Sequence, residues 1–159
     1  MDVKNKRVVV TGAASGIGKA LCEAFYQAGA QSLIAVDMNL DGAQETADSV
    51  NGIAIQANVG NEKDIINVIK KADEHVDGTD IFCSNAGIGG VPGFFEVEAS
   101  DWQNIWDVNV QSHIFAAKHV LPQMIERGEG YLVNTSSAAG LLTQLGAAGY
   151  SVTKAAAVS

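Results

Sequence analysis

Arg7-Val8-Val9-Val10-Thr11-Gly12-Ala13-Ala14-Ser15-Gly16-Ile17-Gly18-Lys19 sets a β-branched run directly against three glycines spaced G-x-x-x-G-x-G. An apolar pattern of helical period follows at Ile17, Leu21, Ala24, Phe25 and Ala28. The order is therefore buried strand, tight glycine turn and helix N-terminus, with no gap between them. Such a junction favours anions. The first helical turn has unpaired N–H groups, and the aligned peptide dipoles attract negative charge. Glycine removes the Cβ that would keep a phosphate off the backbone. A diphosphate is the guest this geometry suits. Two other phosphate motifs are excluded by spacing. A P-loop would need glycine at Ala13 and Ser or Thr at Ala20; G-x-G-x-x-G would need glycine at Leu21.

Working outward, 159 residues suffice for one domain with a single core, and 47% hydrophobic content excludes a disordered chain. A net charge of −8 with no Lys/Arg cluster argues against a nucleic-acid partner. Asp2, Lys4 and Lys6 interrupt the N-terminus before any apolar run, and no run is long enough for a membrane helix. Cys22 and Cys83 lie in apolar patterns and read as reduced core residues. The expectation is a soluble, cytoplasmic protein without a membrane partner.

Strands are expected at residues 7–11, 32–37, 53–57, 80–84 and 131–135. Helices are expected at 16–29, 41–50, 62–74 and 101–127, with a last one opening near Tyr150. Gly29 reads as a helix stop, and Pro122 should kink the long helix or end its regular part. A glycine-rich loop spans residues 87–93. Strands and helices alternate throughout, and the strands are continuously apolar, so the sheet should be parallel and covered on both faces. The predicted fold class is α/β: one doubly wound dinucleotide-binding domain with strand order 3-2-1-4-5 and the glycine loop at the switch point.

Asp37 ends the second strand, where an acid can accept hydrogen bonds from an adenosine ribose and would repel a 2′-phosphate. Ser15 and Met38 offer no positive charge to such a phosphate, which points to NAD. Tyr150-Ser151-Val152-Thr153-Lys154 places a phenol and an ammonium on one helix face. An ammonium beside a phenol favours the phenolate, which can exchange a proton with an alcohol or carbonyl. Ser137 follows the fifth strand at the ligand-facing end of the sheet and could donate a hydrogen bond to the same oxygen. The bland alternatives are a solvated acid at Asp37, a chance surface pair at Tyr150 and Lys154, and loop capping at Ser136-Ser137. His75, His113 and His119 have no ligand-like partners, so no metal site is expected. Trp102 and Trp106, one turn apart, read as packing residues.

Taken together, Thr11 to Gly18, Asn85-Ala86-Gly87, Asn109, Ser137, Tyr150 and Lys154 occur in the order and spacing of the short-chain dehydrogenase/reductase family, which the whole chain resembles. The resemblance implies NAD bound by Gly12, Ser15, Gly16, Ile17, Gly18, Asp37, Asn58, Val59, Asn85, Ala86, Gly87, Tyr150 and Lys154. It implies Tyr150 as general acid/base, Lys154 as holder of the nicotinamide ribose, Ser137 as orienter of the substrate oxygen and Asn109 as support for a proton-relay water. Two departures stand out: Ser84 replaces the family's common first asparagine, and Asn58-Val59 stands where Asp-Val is usual beside the adenine. The implied activity is hydride transfer between the nicotinamide and a secondary alcohol or ketone. The alternative is a non-catalytic nucleotide-binding or redox-sensing module. The resemblance also implies a homodimer or homotetramer formed through the helix at 101–127 and the Tyr150 helix. Because family members continue past that helix, the chain is expected to be an N-terminal portion lacking the last two family strands.

Overall fold

The structure, a computed structural model, describes residues 2–90 and 93–159. Five strands form one sheet: β1 (Arg7–Thr11), β2 (Ser32–Asp37), β3 (Ile53–Gln56), β4 (Ile81–Ser84) and β5 (Tyr131–Asn134). Their order is β3-β2-β1-β4-β5 and every pairing is parallel, as the sequence pattern predicts. The chain builds outward from β1 to β3, then crosses back to place β4 on the other side of β1. That reversal opens a crevice at the C-terminal strand ends.

Alternation along the strands divides the core in two. Val8, Val10, Leu33, Ala35, Ile81 and Cys83 face one side with α1 (Gly16–Gln27) and α2 (Leu40–Ser49). Val9, Ile34, Val36 and Phe82 face the other, against α3 (Glu62–Val76) and α5 (Ser112–Arg127). Both faces of β1, β2 and β4 are thus covered, which is why these strands are apolar throughout; the edge strand β5 departs from the expected covered sheet, with Tyr131 and Val133 exposed. Cys22 and Cys83 are buried free thiols, and burial pushes both up to about 12.

Element ends follow local chemistry. α1 closes in a Schellman motif: Ala30 N–H donates to Phe25 O at 3.0 Å and Gly29 N–H to Tyr26 O at 3.0 Å, with Gly29 at φ +83°. The helix expected at 101–127 differs in detail. It comprises α4 (Ala99–Trp106), a π-helical segment at Asp107–Gln111 and α5. The helix runs through Pro122 to Arg127, so its regular part does not end at the proline; the irregular turn lies earlier. Pro122 and Lys118 are both exposed, so water can satisfy the Lys118 carbonyl that the proline leaves unbonded. A 3₁₀ turn (Ala138–Gly140) follows β5, and α6 spans Ala148–Val158. The glycine-rich loop at 87–93 includes Val91 and Pro92, which lie outside the described residues.

Candidate active site

The glycine turn is built by crowding as well as by torsion. Gly12 has φ +69°, and a Cβ there would lie 2.9 Å from Ala86 Cα; one on Gly18 would lie 2.0 Å from the Gly12 carbonyl oxygen. These two glycines let α1 sit directly on the end of β1. Gly16 differs, because nothing lies within 4 Å of where its Cβ would be. Its surroundings are open space at the helix N-terminus. Asn39 and Asn61 cap α2 and α3 with side-chain oxygens, whereas Ser15 makes no side-chain cap bond to α1 and no acid occupies its first turn. The first-turn N–H groups of α1 therefore face a cavity of about 550 Å³. The expected residues Gly12, Ser15, Gly16, Ile17, Gly18, Asp37, Asn85, Ala86, Gly87, Ser137, Tyr150 and Lys154 all line it.

Asp37 is fixed by backbone. Its Oδ2 accepts from Ala14 N–H at 3.0 Å and its Oδ1 from Asn39 N–H at 3.0 Å. Each oxygen keeps a further lone pair, and among the cavity-lining residues Asp37 is the one carboxylate and Lys154 the one cation. Beyond Asp37 a smaller apolar recess of about 140 Å³ is lined by Met38, Ala57, Asn58, Val59, Ile88 and Val108, among others. Asn58 sits at its rim. Its Oδ1 accepts from Gly60 N–H at 3.0 Å, and its own N–H donates to Asp64 Oδ2 at 2.9 Å.

Asn85 joins three strands. Its Nδ2 donates to Thr11 O at 3.0 Å, and its Oδ1 accepts from Thr135 Oγ1 at 3.1 Å. Thr11 Oγ1 accepts from the N–H groups of Asn85 and Ala86 at 2.9 and 3.1 Å. This network sets the floor on which Gly87 leaves room: a Cβ there would lie 3.2 Å from Asn109 Oδ1 and 3.4 Å from Lys154 Nζ.

Lys154 is 3% exposed, and its Nζ donates to the Thr135 carbonyl at 2.8 Å. Burial lowers its pKa below the ordinary lysine value. The ammonium lies 5.9 Å from the Tyr150 ring centroid, so the two share one end of the cavity. Ser137 lies there too, its Oγ accepting from Ala139 N–H at 3.1 Å as the cap of the 3₁₀ turn. That bond uses the oxygen as an acceptor and leaves the hydroxyl proton free to donate. Asn109, fully buried in the π-helical turn, brackets Ile88: Oδ1 accepts from Ile88 N–H and Nδ2 donates to Ile88 O, both at 2.9 Å, with Thr153 Oγ1 at 3.1 Å. Its side chain is thus spent on holding the Ile88 loop to α6. Thr11, Thr135 and Thr153 support the site, a role that the sequence reading did not assign to them. Their neighbours in the motifs could have pointed to the first two; Thr153 becomes visible only through Asn109.

Two of the histidines have partners away from the cavity. His119 Nε2 lies 2.8 Å from Glu62 Oε1, and His113 Nδ1 lies 3.2 Å from Asn134 Oδ1. Burial, and then nearby Lys154, lower the His113 pKa. Among the described residues no group of three or more His, Cys, Asp or Glu could hold a metal ion, and no helix is long and apolar enough to cross a membrane.

A parallel sheet in this order, with a glycine-turn cavity at its switch point, defines a doubly wound α/β fold, and Ser137, Tyr150 and Lys154 line that cavity. The chain belongs to the short chain dehydrogenase family, which it matches over residues 6–159. It is 32% identical to the 3-oxoacyl-(acyl-carrier-protein) reductase FabG of Vibrio cholerae, across 99% of this chain and 65% of that protein. It is 34% identical to an uncharacterized oxidoreductase of Bacillus subtilis, YvrD, across 100% of this chain and 61% of the relative. A crystal structure of a short chain dehydrogenase/reductase from Burkholderia phymatum in complex with NAD superposes with a TM-score of 0.95 at 28% identity, covering 99% of this chain and 58% of that one. The chain therefore spans roughly three fifths to two thirds of the length of these relatives.

Proposed function

We propose that this chain forms the cofactor-binding and catalytic part of an NAD-dependent oxidoreductase acting on a secondary alcohol or ketone. The observation that carries this reading is the single cavity that brings an uncapped helix N-terminus and Asp37 together with Ser137, Tyr150 and Lys154. The residues present fit a dinucleotide. The open space at Gly16 and the free first-turn N–H groups suit its diphosphate, Asp37 the adenosine ribose hydroxyls, and the apolar recess beside Val59 a flat base. Lys154 would hold the second ribose. The similarity to a protein crystallised with NAD supports the choice of dinucleotide.

A bound nicotinamide would supply the hydride acceptor or donor. The chain supplies the rest. Ser137 orients the substrate oxygen with its free hydroxyl proton. In oxidation the Tyr150 phenolate oxygen takes the alcohol proton as the C–H electron pair leaves with the hydride; in reduction the Tyr150 hydroxyl returns a proton to the carbonyl oxygen. Lys154, held in place by the Thr135 carbonyl, brings its ammonium to the same end of the cavity as Tyr150. Asn109 keeps the Ile88 loop and α6 in register, so that cofactor floor and acid/base stay in one frame.

The rival reading, a nucleotide-binding or redox-sensing module without catalysis, does not require Tyr150 and Ser137 at the same cavity end. The intact protein, given NAD and a panel of secondary alcohols, separates the two: turnover supports the oxidoreductase, and tight NAD binding without turnover supports the module. Assembly through α4, α5 and α6 belongs to the same proposal. Trp106, Ile114, Leu121, Ile125 and Val152 are exposed apolar residues on those helices.

A further inference from the structure

Lys154 is anchored where the chain leaves β5. Its Nζ donates to the Thr135 carbonyl at 2.8 Å, and its own carbonyl accepts from Ser136 Oγ at 3.1 Å. β5 is an edge strand of the sheet, held by the ladder on the β4 side alone. Thr135 N–H still reaches Ser84 O at 3.0 Å, but the Thr135 carbonyl is given to Lys154. The place of that carbonyl therefore depends on what fixes the strand end from the layers packed on the sheet.

One such hold comes from α5. His113 is buried, and its Nδ1 lies 3.2 Å from Oδ1 of Asn134, the residue before Thr135. An amide oxygen can only accept, so Nδ1 donates, and the neutral ring leaves Nε2 as an acceptor. Nε2 is buried and has no partner among the described residues. Asn134 is exposed, so water can satisfy its oxygen. For stability alone a leucine at position 113 would serve better, since it would strand no ring nitrogen. The imidazole is better explained by what its one bond holds. The other groups that act on it are the Asn109 backbone, from the π-helical turn, and Lys154 on α6; burial first, and then the charge of Lys154, keep the ring neutral.

We propose that His113 is a positioning residue for Lys154: through Asn134 it fixes the end of β5, and with it the Thr135 carbonyl that anchors the ammonium. Its consequence for NAD rests on the reading of Lys154 as the holder of the second ribose. The test reads Lys154 directly, by NMR titration of the intact protein carrying isotope-labelled lysine, with Lys154→Arg to assign the signal. His113→Leu and Asn134→Ala remove the bond from either side; Asn134 is exposed, so the second variant leaves the buried residues in place. A loosened carbonyl favours the ammonium less. Each variant should lower the Lys154 titration midpoint by about 0.5 pH unit, a change of roughly threefold in its proton affinity. Each should also weaken NAD about threefold or more by calorimetry. The double variant should do no more than either single one. His113→Asn, whose amide nitrogen stands where Nδ1 stood, should restore the wild-type midpoint.

An unmoved Lys154 midpoint in Asn134→Ala overturns the inference, and so does a double variant whose effects add. A His113→Leu protein that melts lower while Lys154 titrates as before assigns His113 to packing and overturns it too. The lysine titration needs no dinucleotide, so two failures stay apart. A shifted Lys154 with unchanged NAD affinity defeats the reading of Lys154 as ribose holder and leaves the positioning role standing. No NAD binding by the wild type defeats the oxidoreductase reading, while the titration still decides this inference.

Discussion

Two requirements meet at Lys154: the proposed chemistry calls for a cation beside Tyr150, and burial disfavours one. Burial shifts the lysine toward the neutral amine, so its ammonium is lost, as pH rises, below the ordinary value of about 10.4. If that charge holds a ribose, NAD affinity should decline on an alkaline limb starting below the range of a free lysine. Lys154→Arg should abolish the limb, since guanidinium keeps its proton, even if geometry lowers affinity overall. Calorimetric titrations from neutral to alkaline pH check this. Tyr150→Phe keeps the ring and removes only the hydroxyl; it should cut turnover by about 10²- to 10⁴-fold while NAD affinity changes little, measured by steady-state kinetics beside calorimetry. Asp37 makes the third residue-scale prediction. Its carboxylate is fixed by Ala14 and Asn39 and faces no cation at Ser15 or Met38, so NAD should bind about 5- to 150-fold tighter than NADP, and Asp37→Ser should narrow that gap. Their shared place was legible in sequence because Asp37 ends a strand and Tyr150 lies in the first turn of α6, with Lys154 one turn further along the same helix. What sequence could not supply was their hydrogen-bond economy. Nothing in a linear reading says that Ser137 also caps a 3₁₀ turn, or that the Lys154 anchor is a carbonyl, Thr135 O, that any residue could provide.

At the scale of elements, the long helix shows where reading from sequence stops. Its apolar period and its proline are plain, and Pro122 is the obvious place for a fault. The fault instead falls at Asp107–Gln111, one widened turn whose Ser112 N–H reaches back to Asp107 O. The cause is tertiary: the Asn109 amide binds both polar groups of Ile88 and the hydroxyl of Thr153, contacts supplied by a loop and by α6. No local propensity encodes them. Asn109→Ala would leave these groups without partners in a part-buried setting, so it should destabilise the fold by about 2–4 kcal/mol in a denaturant titration. Because the same bonds join the cofactor floor to the Tyr150 helix, it should also depress turnover more than Asn109→Asp, which keeps the acceptor facing Ile88 N–H. The glycine turn is the opposite case. Gly12 and Gly18 are demanded by contacts within a few residues or with the adjacent strand end, and the spacing alone foretold the turn.

Across the whole molecule, the two ends of the sheet have separate tasks. The C-terminal strand ends carry the cavity, with open backbone at Gly16 and a desolvated lysine, features that cost stability. The N-terminal end carries a charge clamp far from it in the chain's topology. Arg7 Nε and Nη2 donate to Asp80 Oδ2 and Oδ1 at 2.8 and 2.6 Å, Arg7 N–H adds a third bond to Oδ2 at 2.9 Å, and Arg127 Nη2 lies 3.7 Å from Oδ1. The clamp ties the start of β1 to the residue before β4, the two strands that flank the switch point, and through Arg127 to the end of α5. The Arg7 hydrogen bond holds the Asp80 carboxyl below the usual carboxylate range. A depressed carboxylate stabilises the folded state above its unfolded pKa, near 3.9, and that contribution is lost as pH falls through the lower folded value. Asp80→Asn should therefore cost about 3 kcal/mol at neutral pH, because it leaves Arg7 only the exposed Asp77 carboxylate, 3.7 Å away, as a counter-charge. The gap between mutant and wild type should close in acid, below pH of about 3.9. Dinucleotide affinity, set at the other end of the sheet, should be unchanged. Thermal melts from pH 7 into acid, with calorimetry of NAD binding, test the whole division of labour: a stability gap that did not narrow on acidification would show that the Asp80 carboxylate is not its source, and a large loss of NAD affinity in Asp80→Asn would show that clamp and cavity are not independent.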